Sequence, residues 1–239
     1  YPGAGLYRPV KLITTNESRI DEWETYFKTV SANPQKALLK VDTRIEDGNA
    51  LKNLTTKIEL LDAQGKQVAT GQQKINQQGA ASFNLEVTNP HLWDIDTPYL
   101  YTLKTTLLKG KKAIDQTTTK VGIRTIDVSK EYGFRLNGKS LKFKGVCLHH
   151  DLGALGAALN KTAVIRQIEM MKKMGVNAIR TSHNMPSQMQ MDVCDSLGMM
   201  VMAESFDAWK DLKVKNGYGR IYDEWWRKDL ENLIRGHRN

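Results

Sequence analysis

The sequence is poor in cysteine, in long apolar runs and in clustered charge, and each shortage removes a class of protein. Two cysteines in 239 residues, Cys147 and Cys194, are too few for a disulfide-stapled scaffold and lack metal-ligand spacing. Cys147 closes an apolar stretch and Cys194 falls in a helical pattern, so two buried free thiols are expected. The redox compartment stays open. No apolar run approaches the roughly 20 residues needed to cross a bilayer, so no membrane partner is expected. The opening YPGAGLYRPV has no basic-then-apolar leader and no initiator methionine. It reads as cut from a longer chain, which leaves periplasmic or secreted and cytoplasmic locations open. The formal net charge is +9, yet only KGKK, Lys109 to Lys112, clusters, and it reads as a hairpin turn. Without a basic stripe interleaved with aromatics, nucleic acid is not expected as a partner.

What is present divides into two halves with different periods. From Leu6 to Thr125 short alternating segments such as ALLKVDTRIED, LTTKIELLD, ASFNLEV and LYTLKTTLL are separated by turn residues. Period-two alternation with turns about every 8–12 residues predicts an antiparallel, immunoglobulin-like β-sandwich without the usual disulfide. After VGIRTIDVS the pattern changes. A hairpin turning at Asn137-Gly138 leads into an apolar strand from Leu141 to Cys147. Asn160 is placed to cap a helix that Gly175 closes. Val176 to Ile179 reads as a second strand, Ser187 to Leu197 as a second helix, and Met199 to Ala203 as a third strand. A third helix runs from Tyr222 to Gly236, and the methionines of the helices read as core filler. Apolar strands alternating with helices predict a parallel sheet of βαβ units.

Each of these strands is followed by polar residues. LHHD carries His149, His150 and Asp151; RTSHN carries Arg180, Ser182, His183 and Asn184; the third strand is followed by Glu204, Asp207 and Trp209. Parallel α/β folds place their sites at the carboxyl ends of the strands, so His150, Asp151, Arg180, His183, Asn184, Glu204 and Asp207 are the candidate binding residues. Simpler roles stay open for several of them. Adjacent His149 and His150 point apart, so a shared metal ion is not expected, and no cofactor is called for. His183 has an alternative as a loop cap, and Glu204 as the partner that holds Arg180 at the sheet end. DLGALG lacks the spacing of a phosphate loop.

These residues resemble glycoside hydrolase family 2, the family of β-galactosidases, β-glucuronidases and β-mannosidases. NAIRTSH, then a proline, then CDSLGMMVMAE is similar to one of its signature regions, with Asn177, Arg180, Ser182, His183, Asp195 and Gly198 in place. The chain departs from the common His-Tyr-Pro by inserting Asn184 and Met185 before Pro186. PGAGLYRPVKL looks like the last strand of the family's jelly-roll domain, LWDIDTPYLYTL and VGIRTI like its Ig-like domain, and LNGKSLKFKGVCLHHDLG like the entry to its barrel. HHDLGALG leans towards the β-galactosidase-like members.

The resemblance implies a multi-domain β plus α/β protein. Residues 1–125 would form the Ig-like sandwich, with 1–10 a jelly-roll remnant, and residues 126–239 the first part of a (β/α)₈ TIM barrel, about three of its eight βα units. It implies a retaining exo-β-glycosidase whose partner is an oligosaccharide or other β-glycoside, with the seven candidates on its sugar-binding wall and Trp209 over the ring. Chemistry of this kind uses two carboxylates about 5 Å apart. The family's acid/base lies in a Trp-x-x-x-Asn-Glu segment, and the chain ends GHRN before reaching one. The isolated chain is therefore expected to be inactive, with no catalytic residue of its own. It is also expected to self-associate through an open barrel edge and an inner face that includes Met199 and Val201. A non-catalytic carbohydrate-binding module is the alternative.

Overall fold

The computed structural model describes residues 6–21, 25–46 and 53–237. Asp47, the last residue of the segment ALLKVDTRIED, lies outside them. Alternating burial builds the first half, because successive side chains of a strand point to opposite faces. Strands β1 (Arg19–Ile20), β2 (Tyr26–Ala32) and β3 (Lys36–Glu46) join β6 (Ala80–Thr88) in one antiparallel sheet. The strands between and after them, β4 (Leu54–Leu61), β5 (Gln67–Lys74), β7 (Tyr101–Lys109) and β8 (Lys112–Val121), form the other in the order β5-β4-β7-β8. Leu39 and Val41 of β3, Ile58 and Leu60 of β4, Phe83 and Leu85 of β6, and Tyr101 and Leu103 of β7 meet in one buried core. The KGKK turn is a hairpin, with Lys109 paired to Lys112 and Gly110 at φ 62°.

A short meander follows, β9 (Ile126–Ser129), β10 (Gly133–Leu136) and β11 (Lys139–Ser140). Asn137 (φ 51°) and Gly138 (φ 76°) turn β10 into β11, the left-handed pair that a two-residue hairpin requires. The meander groups with the sandwich in a compact unit of residues 13–141, whereas 6–12 and 142–237 make up the other unit. This division differs from one after Thr125. The Asn137 side chain accounts for part of the difference, since it donates to the Trp93 carbonyl (3.0 Å) and accepts from the Thr125 N–H (3.0 Å). Residues 6–12, read as a strand remnant, form no strand here.

In the second unit β12 (Gly145–Leu148), β13 (Ala178–Thr181) and β14 (Met200–Met202) form a parallel sheet in that order. The crossovers are α1 (Lys161–Lys173) and α2 (Gln188–Leu197), and α3 (Tyr222–His237) follows a long loop. Both crossover helices start on side-chain caps: Asn160 accepts from Ala163 N–H and Ser187 from Gln190 N–H. Val164, Ile168, Ile179, Val193, Cys194 and Met199 form the core between helices and sheet. Fully burying side chains of this kind stabilises by roughly 1.5–3 kcal/mol each.

Several expectations are corrected. The first strand begins at Gly145 rather than Leu141, and the second is displaced two residues to Ala178–Thr181. Asn177 explains both shifts: its side chain accepts from Lys144 N–H (2.8 Å) and donates to the Lys142 carbonyl (3.0 Å), so it pins the two segments together ahead of the ladder. Met199 is buried with the helices and Val201 packs there too, so the exposed side chain of the third strand is Met202. Cys194 is buried as expected, but Cys147 is exposed. The methionines are likewise mixed: Met191 is buried, whereas Met170 and Met174 are exposed.

Candidate active site

The register of the parallel sheet sets the site. Leu148 lies opposite Thr181 and Arg180 opposite Met202, so the polar residues after all three strands emerge at one end. Two further bonds fix that end: Ser182 N–H donates to the Leu148 carbonyl (3.1 Å), and Glu204 N–H donates to Thr181 Oγ1 (3.0 Å). The Ser182–His183 peptide is cis.

Arg180 is the hub. Its guanidinium is paired with Glu204 and approaches Cys147 Sγ (3.5 Å), Ser182 Oγ (3.4 Å) and His183 Nδ1 (3.3 Å). His183 Nδ1 also lies 3.1 Å from the second carboxylate oxygen of Glu204. A guanidinium only donates and a carboxylate only accepts, so one ring nitrogen can serve one of them. Placing the proton on Nδ1 satisfies Glu204, whereas a lone pair there would face a carboxylate oxygen. That assignment leaves Nε2 as an acceptor on a ring whose side chain is 41% exposed. The Cys147 thiol is held below its ordinary value by hydrogen bonding to Arg180 and then to Ser182.

The strand ends bring Arg180, His183 and Glu204 into contact, and His149 meets His183 edge to face at 5.5 Å. Asp207 is near this group: its carboxyl is lowered first by its hydrogen bond to Lys213 (2.8 Å), and His183 and His149 are within electrostatic reach. Asn184 is exposed beside them. His150 has a different ring partner from His149. Its ring packs on Tyr7 at 5.4 Å, its Nε2 is buried without a partner, and burial holds its basicity below the usual imidazole value. Asp151 joins His149 and His150 along a cavity of about 20 Å³ that Gln167 and Gln190 also line, roughly the room one water needs. The seven candidates therefore fall into two neighbouring groups. Among the described residues, no three His, Cys, Asp or Glu side chains are grouped to hold a metal ion.

Sequence reasoning overlooked Thr181, Tyr7 and Arg8. Thr181 was hidden by the two-residue shift of its strand. Arg8 donates to the carbonyl of Met185, 177 positions away (2.8 Å), a contact with no local pattern.

Residues 18–124 match the family described as glycosyl hydrolases family 2, and residues 126–228 match the family 2 TIM barrel domain. The β-galactosidase BoGH2A of Bacteroides ovatus is 41% identical over all of this chain, which covers 29% of that protein. A putative β-glucuronidase of Formosa agariphila is 40% identical, again over the whole chain and 23% of the relative. The crystal structure of a β-glycosidase from Bacteroides vulgatus superposes with a TM-score of 0.91 at 37% identity, covering 100% of this chain and 30% of that one. The chain thus spans less than a third of the length of each. The sandwich, the opening strands of a TIM barrel and the strand-end polar cluster agree with these matches, and the chain belongs to glycosyl hydrolases family 2.

Proposed function

We infer that this chain is part of a retaining exo-β-glycosidase that removes a terminal β-galactoside. The observation that supports this reading most is the meeting of residues from three consecutive parallel strands, His149, His183 and Glu204, at one end of the sheet. His183 Nε2 accepts from a sugar hydroxyl, Asn184 offers both a donor and an acceptor, and Asp151 with His150 extends the wall. Glu204 and Arg180 work one step back, since each is spent on the other and Glu204 also accepts from His183 Nδ1.

A neutral glycone suits this wall. Three cations near it are already held: Arg180 by Glu204, Lys213 by Asp207, and Arg8 by the Met185 carbonyl. The Formosa relative's name supports a second reading, a glucuronide, which would need a cation for the sugar carboxylate. By the same count Glu204 and Asp207 are committed carboxylates, so neither is assigned as acid/base or nucleophile. The 239-residue chain alone is inferred to be inactive.

The deciding experiment measures kcat/KM of the full-length protein on nitrophenyl β-galactoside, β-glucuronide and β-mannoside. Preference for the galactoside supports the reading, preference for the glucuronide replaces it with the second, and no cleavage of any overturns it.

A further inference from the structure

Residues Tyr7 and Arg8 come from the opposite end of the sequence to the strand-end loops, yet they touch both of the loops that carry the sugar wall. The Tyr7 carbonyl accepts from Leu159 N–H (2.9 Å), in the loop between β12 and α1. Its ring lies 5.4 Å from that of His150 at the start of the same loop. One residue later the Arg8 guanidinium donates to the Met185 carbonyl (2.8 Å), inside the loop between β13 and α2 that holds His183 and Asn184. One dipeptide thus adds a tie between two loops that the Ser182–Leu148 hydrogen bond and the His149–His183 ring contact bring together at their bases.

The segment is largely exposed, but Arg8 is half-buried. Arg8 Nε is buried and has no partner, and an unmet donor is tolerated when the surrounding arrangement holds it in place. The Arg8 charge is also close enough to oppose protonation of His150, after burial, which is the larger cause.

We propose that Tyr7 and Arg8 are positioning residues of the sugar site, which hold the His150–Asp151 loop and the His183–Asn184 loop at a fixed separation. They touch no reacting atom. Their effect is on how well the two halves of the wall match a pyranose before it arrives, so loss of Arg8 weakens binding more than turnover. The proposal rests on the glycosidase reading for its sugar, but not for its geometry.

The test compares the native full-length protein with Arg8→Ala by amide hydrogen exchange and by kinetics on the aryl glycoside that the native enzyme cleaves best. Expected are faster exchange in residues 152–160 and 182–187 with the sandwich unchanged, and a KM raised about tenfold to a hundredfold, the range for loss of a charge-assisted hydrogen bond, with a smaller change in kcat. Arg8→Lys, which keeps the charge and a donor, should recover part of the KM. Unchanged exchange in both loops, or acceleration spread evenly over the chain, overturns the proposal. Should Arg8→Ala not fold, Arg8→Gln carries the same measurements. If the native protein cleaves no β-glycoside, the functional reading fails while the exchange data still decide this one.

Discussion

His183 and Glu204 stand on the loops after adjacent parallel strands, with Nδ1 of the imidazole 3.1 Å from a carboxylate oxygen. Arg180 occupies the other oxygen, so the carboxylate is held on both sides. With the Glu204 side chain 22% exposed, water competes only in part for these bonds, and a hydrogen bond to a charged group is worth about 1.5–3 kcal/mol. The expected result of Glu204→Leu is a loss of about 10- to 100-fold in kcat/KM, as the imidazole loses its orientation. Glu204→Gln, whose amide oxygen still accepts from Nδ1, should lose less. Nitrogen-15 spectra of the ring check the cause: the Nδ1–H tautomer in the native protein should give way to a mixture in the leucine variant. A native ring protonated on Nε2 alone would contradict the assignment.

His183 itself should behave as a binding residue. Its ring is part exposed, and among its described neighbours only Arg180, Glu204 and His149 make the contacts given above. Removing it in the full-length protein should lower kcat/KM strongly, by about 100-fold where a sugar hydroxyl loses a buried partner. The melting temperature should move by only a few degrees. A large drop in melting temperature with unchanged kcat/KM would make His183 a structural cap and remove it from the wall.

Much of this was legible in the sequence where a short-range physical rule operates. The burial of β3 follows its alternation residue by residue, and Asn137-Gly138 turns as its backbone preference requires. The separate ring partners of His149 and His150, His183 and Tyr7, fit what adjacency leads one to expect. The boundaries of β12 and β13 were not legible, because Asn177 ends the region by side-chain bonds to Lys142 and Lys144 rather than by any change in hydrophobicity. Nor was the exposure of Cys147, which stands beside the Arg180 guanidinium instead of in the apolar core. The division of labour within the candidate set depended on long-range geometry too: nothing local says that Glu204 holds His183 while Asp207 is taken by Lys213.

His150 carries a pH dependence whose sign can be worked out. Burial, and then the Arg8 charge, hold its ring below the ordinary 6.5, against smaller opposing contributions from Ala157 and Asp151. Between its folded and unfolded values the unfolded chain therefore binds the extra proton. The stabilisation is fully present above about pH 6.5, the unfolded value, and is lost as pH falls through the folded one. The melting temperature should thus decline from pH 7.5 to pH 5, and His150→Asn should flatten that part of the decline. A variant whose decline parallels the native one would remove His150 as its source.

The last expectation concerns the 239-residue chain by itself. Cleaving a glycosidic bond needs a proton delivered to the leaving oxygen, worth typically about 10²- to 10⁴-fold, and retention adds a second carboxylate on the opposite face of the sugar. At the strand ends Glu204 is engaged by Arg180 and His183, and Asp207 by Lys213, whose hydrogen bond depresses the carboxyl and so makes it a poorer acid near neutrality. Asp151 remains, beside a cavity with room for little more than a water. One carboxylate cannot serve as both acid and nucleophile on opposite faces, so purified chain should release no nitrophenol from β-galactoside or β-glucuronide above a buffer blank. Glu204→Gln serves as the control: turnover that is present in the native chain and absent in this variant would make Glu204 a catalytic group, despite its ion pair.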